Sequence, residues 1–187
     1  MSQSSKTSNS INPNIAHWFQ IADTDKKNCL NCTKLTKVLK SDHVNNFRPE
    51  TCNLLISKFA KEQPNKALNI KEFEHLWNFL ATWRNHFRDH TNLLSDFDSD
   101  RHFVDANQLS KALKSQGYTC LSKEACKLLL RKFDLDNTGA LRFDDFLRLS
   151  LTLQKVTVLF QRLDFQNSNR VSLEYESFMS VVIQTML

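Results

Sequence analysis

The sequence predicts an all-α protein built from five helix-loop-helix units, with short β pairings between the loops. Glycine and proline, which interrupt helices, number only 2 and 3 among the 187 residues. Apolar residues recur with the 3.6-residue helical period along most of the chain. A polar loop pattern also returns at intervals of about 30 to 38 residues. The five loops begin at Asp23, Lys61, Asp98, Asp134 and Asp164.

Two long helices are predicted to be shared between neighbouring units. The periodic pattern runs almost unbroken from about Ile70 to Phe97, and again from Phe146 to Leu163. The first would join the second and third units, and the other would join the fourth and fifth.

The fourth loop, residues 134–145, has the spacing of an EF-hand ion loop. Alternate side chains in such a loop turn oxygens onto a hard cation, and a backbone carbonyl adds another ligand. Gly139 stands at position six, where the chain turns sharply with a positive φ. Positions one, three, five, seven and twelve are filled by the predicted metal ligands Asp134, Asp136, Thr138, Ala140 and Asp145.

Two features of this loop predict weak ion binding. Asp145 closes the loop where Glu is usual, and its shorter side chain favours contact through one oxygen and a smaller ion. Arg142 at position nine places a cation beside the site, which lowers ion affinity by repulsion. The cofactor predicted is Ca²⁺ bound weakly, with Mg²⁺ as the alternative.

The first, second and fifth loops are predicted to be poorer ion sites. The first keeps Asp23 and Asp25 as secondary candidate ligands, but Lys34 at the closing position cannot donate a lone pair. The second opens on Lys61, and the fifth opens on Asp164 but lacks a closing carboxylate. These loops are expected to have a structural role and not to bind an ion.

The third loop allows two registers. One starts at Asp96 and closes with Asn107, but it puts a polar residue where the exit helix needs an apolar one. The other starts at Asp98, places Val104 at position eight and leaves the loop one residue short. This second register is preferred, and its secondary candidate ligands are Asp98, Asp100, Asp105 and Gln108.

The domain organisation predicted is a disordered polar tail over residues 1–13 and one repeat domain over 14–187. An odd number of units leaves the fifth without an internal partner, because such units bury their apolar faces in pairs. A homodimer or heterodimer through the fifth unit would cover that face. The units lie near 15–40, 49–80, 82–116, 122–150 and 155–186, and the interface candidates are Val171, Phe178, Val181 and Val182.

Composition and motif content limit the cellular locations and the classes of partner that the sequence predicts. Five cysteines without a visible export signal predict reduced thiols and a cytoplasmic or nuclear location. The net charge of +5 is spread along the helices and no nucleic-acid motif is visible, so the basic side chains are interpreted as solvated helix faces. Association with an anionic membrane surface is the minor alternative. The chain has no phosphate-binding Gly-rich loop, no nucleophile elbow and no His-Glu-x-x-His helix, so no enzyme is predicted.

Three stretches carry a resemblance to a known family: residues 81–88 (ATWRNHFR), 130–134 (LRKFD) and 143–146 (FDDF). With the five units, they resemble the penta-EF-hand family, particularly its group around programmed cell death protein 6 and peflin. The resemblance implies a dimeric, Ca²⁺-responsive adaptor that binds short hydrophobic or Pro-rich peptides. It also implies that Trp77 and Trp83 lie near a peptide pocket, with core packing as the alternative.

The chain departs from that family in the first and third loops, where Lys34 and Gln108 close the ligand shell. Two functions therefore stay open from the sequence. One is a calcium-linked, non-catalytic adaptor with an apolar groove for partner peptides. The other is a calcium-insensitive dimerisation or regulatory subunit, including one like the calpain small subunit.

Overall fold

A computed structural model describes residues 11–41, 47–61, 66–91 and 103–186 of the chain. These residues form eight α-helices, and the all-α prediction is confirmed. The helices are α1 (Pro13–Ala22), α2 (Cys32–Ser41), α3 (Pro49–Phe59), α4 (Ile70–His90), α5 (Ala106–Ser115), α6 (Lys123–Phe133), α7 (Phe143–Leu163) and α8 (Tyr175–Met186).

Antiparallel β-bridges join the loops in pairs, as predicted. Leu30 of the first loop and Leu68 of the second exchange two backbone hydrogen bonds of 2.9 Å each. Val104 and Leu141 do the same between the third and fourth loops, again at 2.9 Å. All four side chains are fully buried. The pairing of Val104 with Leu141 agrees with the preferred register of the third loop, since both residues then stand at position eight.

The long helices α4 and α7 each have 21 residues and lead out of one unit into the next. Helix α4 ends at His90, where the extended residue Thr91 donates its amide to the carbonyl of Arg88. The stretch predicted to continue this helix to Phe97 lies outside the described residues. Helix α7 contacts α3, α4, α6 and α8, so it connects the fourth unit to the rest of the fold.

One hydrophobic core runs through the first four units. Phe146 of α7 is fully buried between two aromatic residues of α4, with ring centroids 6.1 Å from Trp83 and 5.4 Å from Phe87. Phe47, which precedes α3, is also fully buried and meets Phe143 edge to face at 5.9 Å. These aromatic contacts hold the two pairs of units together and fix where the fourth loop lies.

The folded part begins before the predicted boundary at residue 14. Ile11 packs against the core, and the side chain of Asn12 accepts a hydrogen bond from the amide of Asn14 to cap α1. Pro13 occupies the first turn of that helix, where its missing N–H costs nothing. Residues 1–10 of the predicted tail lie outside the described residues. No helix within the described ranges is long and apolar enough to span a bilayer.

Candidate functional site

The first, fourth and fifth loops share one backbone conformation. In the fourth loop, the carboxylate of Asp134 accepts hydrogen bonds from the amides of Thr138 and Gly139 at 3.1 and 2.7 Å. The first and fifth loops repeat this pattern with Lys27 and Asn28 on Asp23, and with Ser168 and Asn169 on Asp164. Positions four and six have a positive φ in all three loops, at Lys26, Asn28, Asn137, Gly139, Asn167 and Asn169.

Gly139 confirms the predicted turn, with a φ of 77°. The other loops use Asn at the equivalent place, the residue that best tolerates this left-handed conformation after glycine. The first, fourth and fifth loops thus keep the EF-hand turn although their predicted ion-binding capacities differ.

The fourth loop brings its predicted oxygen donors to one end of α7. Thr138 donates its hydroxyl to the carbonyl of Ala140 at 2.9 Å, and its oxygen is 3.3 Å from Asp134. Asp145, with only 2% of its side chain exposed, lies in the first turn of α7. Carboxylate, hydroxyl and carbonyl oxygens are the ligands that Ca²⁺ and Mg²⁺ prefer, so this donor set fits a hard divalent cation.

Arg48, which precedes α3, places its guanidinium on two of these donors. Its two terminal nitrogens lie 2.6 Å from Asp145 Oδ1 and 2.7 Å from Asp136 Oδ1. Burial lowers the pKa of Arg48, but Asp145, Asp136 and Asp144 outweigh that effect and raise it overall. The partners are 97 and 88 residues away in sequence, so no local pattern could have revealed this contact.

Two further arginines lie near the same carboxylates. Arg142, the cation predicted beside the site, is 3.8 Å from Asp136 and about half exposed. Arg148 donates to the carbonyl of Phe133 at 3.0 Å and to Asp145 at 3.3 Å. Burial raises the pKa of Asp145, and the charges of Arg48 and Arg148 oppose that rise.

Asp144 lies beside the loop, at the wall of a cavity of about 280 Å³ that Phe47 and Lys40 also line. The backbone N–H of Arg48 donates to its Oδ2 at 3.2 Å. Its Oδ1 is buried and has no hydrogen-bond partner among the described residues. Burial raises the pKa of Asp144 to about 6, which favours the protonated form in mildly acidic solution.

In the first loop, the chain supplies its own cation. The ammonium of Lys34 lies 2.8 Å from Asp23 Oδ1 and 2.9 Å from the carbonyl of Cys29, and it also contacts Asp25. These oxygens belong to positions one, three and seven, which an EF-hand offers to its ion. Hydrogen bonding to Lys34 lowers the pKa of Asp25 to about 2. Asp23 and Asp25 thus bind a lysine of their own chain.

The pKa of Lys34 reflects two opposing effects. Desolvation of its ammonium lowers the pKa, whereas hydrogen bonds and charge attraction from Asp23 and Asp25 raise it, and the net change is upward. Its side chain is only 12% exposed. The ammonium therefore stays charged, as a substitute for a bound cation requires.

The second and third loops use their polar side chains to cap helices. Glu72 accepts hydrogen bonds from the amides of Lys61 at 2.8 Å and Asn69 at 2.9 Å. In the third loop Asp105 accepts from the amide of Gln108, whose side chain accepts from the amide of Asp105, both at 2.8 Å. Asp105 and Gln108 therefore form a capping box at the start of α5. Asp98 and Asp100 lie outside the described residues.

No cluster of three or more His, Cys, Asp or Glu side chains in the described parts of the chain is arranged to hold a metal ion. In the two loops with the best donors, a guanidinium and an ammonium contact the carboxylates instead. The sequence predicts Lys34 only as a residue that cannot supply a lone pair, and it gives no signal for the contact of Arg48 with Asp136 and Asp145.

The two candidate peptide contacts have different environments. Trp77 is half-buried and stacks on Trp18, with ring centroids 6.2 Å apart and an interplanar angle of 22°. Trp83 is only 7% exposed and packs against Phe146 and Phe79. In this conformation Trp83 is a core residue, so only Trp77 is accessible to a peptide without rearrangement.

The fifth unit presents an apolar surface around α8. Helix α8 contacts only α7 among the described helices. Phe178 is 52% exposed, and Val181 and Val182 are partly exposed along the same helix. Val171 is also partly exposed, and no β-bridge in the described residues involves the fifth loop. Phe178, Val181 and Val182 thus share one side of α8, and among the described helices only α7 contacts α8.

The chain is similar in sequence to known EF-hand proteins. Residues 104–151 match the family model described as an EF-hand domain pair. Peflin from Danio rerio is 28% identical over 95% of this chain and 63% of its own length. Human sorcin is 30% identical over 73% of this chain and 64% of its length. The chain thus spans less than two thirds of these relatives.

A rice protein called calcium-binding protein CBP is 32% identical over 91% of this chain and 56% of its own length. Among solved structures, a homologue of programmed cell death 6 protein from Leishmania major is similar with a TM-score of 0.71 and 25% identity. That comparison covers 91% of this chain and 93% of the other. The sequence comparisons and the structural comparison therefore both indicate an EF-hand protein.

Proposed function

We propose that this chain, which is similar to peflin and sorcin over most of its length, is a dimeric, non-catalytic adaptor of the penta-EF-hand kind linked to Ca²⁺. The fourth loop carries the ion-binding part of the proposal. The observation that carries this part is the combination of the EF-hand turn at Asp134 with a carboxylate, Asp145, at the closing position, which the first and fifth loops lack.

The ion would be held by Asp134, Asp136, Thr138, the carbonyl of Ala140 and Asp145. Because Asp145 replaces the usual Glu, weak Ca²⁺ binding is expected, with Mg²⁺ as a competitor. The name of the rice relative, a calcium-binding protein, supports the same ion. Ion binding in such loops changes the angle between the flanking helices and uncovers apolar surface.

Partner binding is proposed at two surfaces. The exposed face of α8 would pair with the fifth unit of a second chain, either identical or related. Trp77, half-buried beside Trp18, would contact short hydrophobic or Pro-rich peptides. The expected location is the cytoplasm, with a membrane surface or the nucleus as alternatives, and no nucleic-acid partner is proposed.

Calorimetric titration with CaCl₂ and MgCl₂ tests the ion-binding part. Wild-type protein should release or absorb heat with a dissociation constant in the high micromolar to millimolar range, roughly 10⁻⁴ to 10⁻³ M. Asp134→Ala should lose this signal because it removes the first ligand. An unchanged signal in Asp134→Ala would place the ion elsewhere.

A second candidate function is a calcium-insensitive dimerisation or regulatory subunit, including one like the calpain small subunit. The observation in its favour is that basic side chains of the chain itself bind the carboxylates of the first and fourth loops. Absence of any heat up to millimolar Ca²⁺, in a protein that still dimerises, would favour this function over the first.

A further inference from the structure

The connection between α2 and α3 reaches the fourth loop through three successive contacts. Phe47 is fully buried and packs edge to face on Phe143. The backbone N–H of Arg48 donates to Asp144 at 3.2 Å. The side chain of Arg48 then extends to Asp136 and Asp145. Because the Phe47 side chain is buried and the Arg48 N–H is bonded to Asp144, the position of the guanidinium over the loop is determined by the fold.

The guanidinium uses oxygens that an ion would need. Asp136 and Asp145 stand at positions three and twelve of the loop, and Arg48 contacts both at 2.6 to 2.7 Å. Charge-assisted hydrogen bonds of this length are the stronger class in proteins. Arg remains charged throughout the physiological pH range, so proton loss cannot release these carboxylates.

The neighbouring arginines do not replace Arg48 in this role. Arg142 is 3.8 Å from Asp136 and 48% exposed, so its charge is largely screened by water. Arg148 reaches Asp145 alone, at 3.3 Å, and its other hydrogen bond goes to the carbonyl of Phe133. Among the described residues, only Arg48 contacts both carboxylates.

We propose that Arg48 is a built-in competitor for the divalent ion at the fourth loop. An ion can bind Asp136 and Asp145 fully only after the guanidinium has left them. Ion entry therefore carries the free-energy cost of breaking the two guanidinium contacts of Arg48, while the contacts of Phe47 with Phe143 and of the Arg48 N–H with Asp144 remain. The inference rests on the proposed function, because it concerns regulation of the same ion site.

The test is a calorimetric titration of the full chain with CaCl₂, comparing wild type, Arg48→Gln and Arg142→Gln. Removing the competitor should tighten Ca²⁺ binding about 10- to 100-fold, the range that loss of a charge-assisted contact predicts. Arg142→Gln also removes one positive charge next to the loop, but it leaves Arg48 in contact with Asp136 and Asp145. It should therefore change the Ca²⁺ affinity by less than about threefold.

A second measurement separates competition from a change in folding. Without divalent ions, Arg48→Gln should melt at a lower temperature than wild type, because Asp136 and Asp145 lose the guanidinium that lies between them. Ca²⁺ should raise the melting temperature again. If Arg48→Gln does not fold, Arg48→Lys keeps the charge without the two-pronged contact and should still bind Ca²⁺ several-fold more tightly than wild type.

The outcomes distinguish this inference from the proposed function. Equal Ca²⁺ affinity in wild type and Arg48→Gln would overturn the competition while leaving ion binding intact. Tight binding that appears only in Arg48→Gln, and disappears in Arg48→Gln with Asp134→Ala, would support the competition and assign the ion to the fourth loop. Absence of binding in both proteins would overturn the competition together with the ion-binding part of the proposed function.

Discussion

Two basic side chains, Lys34 and Arg48, lie among carboxylates that usually face an ion. Lys34 comes from the closing position of its own loop, so its ammonium replaces both the closing carboxylate and the cation. Arg48 comes from another unit and contacts the fourth loop across the molecule. The Lys34 contact is local in sequence, whereas the Arg48 contact depends on the tertiary fold. Substitutions at the two residues are therefore expected to have different effects.

Lys34→Glu should convert the first loop into an ion site. The variant would gather Asp23, Asp25 and a closing Glu without a counter-charge, so in EDTA its unfolding free energy should fall by about 2 kcal/mol or more. Millimolar Ca²⁺ should bring the unfolding free energy back up, and chemical denaturation with and without the ion measures this change. Lys37→Glu, an exposed position on the same helix, makes the same charge change and should show neither effect.

A second residue-scale prediction concerns thiol reactivity. Cys52 is fully buried in α3, and this burial raises its pKa to about 12, so it supplies almost no reactive thiolate near neutral pH. In native protein at pH 8, a disulfide reagent should modify Cys52 at least about a hundredfold more slowly than the exposed Cys120. Peptide mass spectrometry distinguishes the two sites. Equal rates in native protein would contradict the burial of α3.

At the scale of the element, α7 depends on its contact with α4. Phe146→Ala would leave a cavity beside Trp83 and Phe87 and should lower the unfolding free energy by about 3 to 5 kcal/mol. Phe165→Ala is the matched control, since that ring is 87% exposed, and should stay within about 0.5 kcal/mol. Denaturant titration followed by tryptophan fluorescence measures both changes.

Elements are also where sequence reasoning was most successful. The 3.6-residue period predicts the two shared helices, and the preferred register of the third loop, with Val104 at position eight, agrees with the bridge from Val104 to Leu141. Both signals are local and repeat along the chain. The contact of Arg48 with Asp136 and Asp145 has no such signal, because it depends on how α3 packs against α7. Candidate ligands could therefore be found from the sequence, but not the group that contacts them.

At the scale of the whole molecule, the uncovered face of α8 predicts association of two chains. Wild-type protein in sedimentation equilibrium should show about twice the chain mass of 21.8 kDa. Phe178→Asp places a charge on that face and should shift the protein to monomer. Leu128→Asp alters a residue that is 64% exposed on α6, and it should leave the mass unchanged. A wild-type monomer at high micromolar concentration would contradict self-association, and a related chain would then have to be the partner.

The lysine in the first loop also bears on how the protein responds to its surroundings. An ammonium attached to the backbone has a fixed effective concentration at Asp23 and Asp25, which neither dilution nor dialysis can reduce. A chelator that removes metal from ordinary EF-hand loops is therefore expected to leave this loop unchanged. The first unit can therefore keep one conformation whatever the ion concentration, and under the proposed function a response to Ca²⁺ would have to come from the fourth loop.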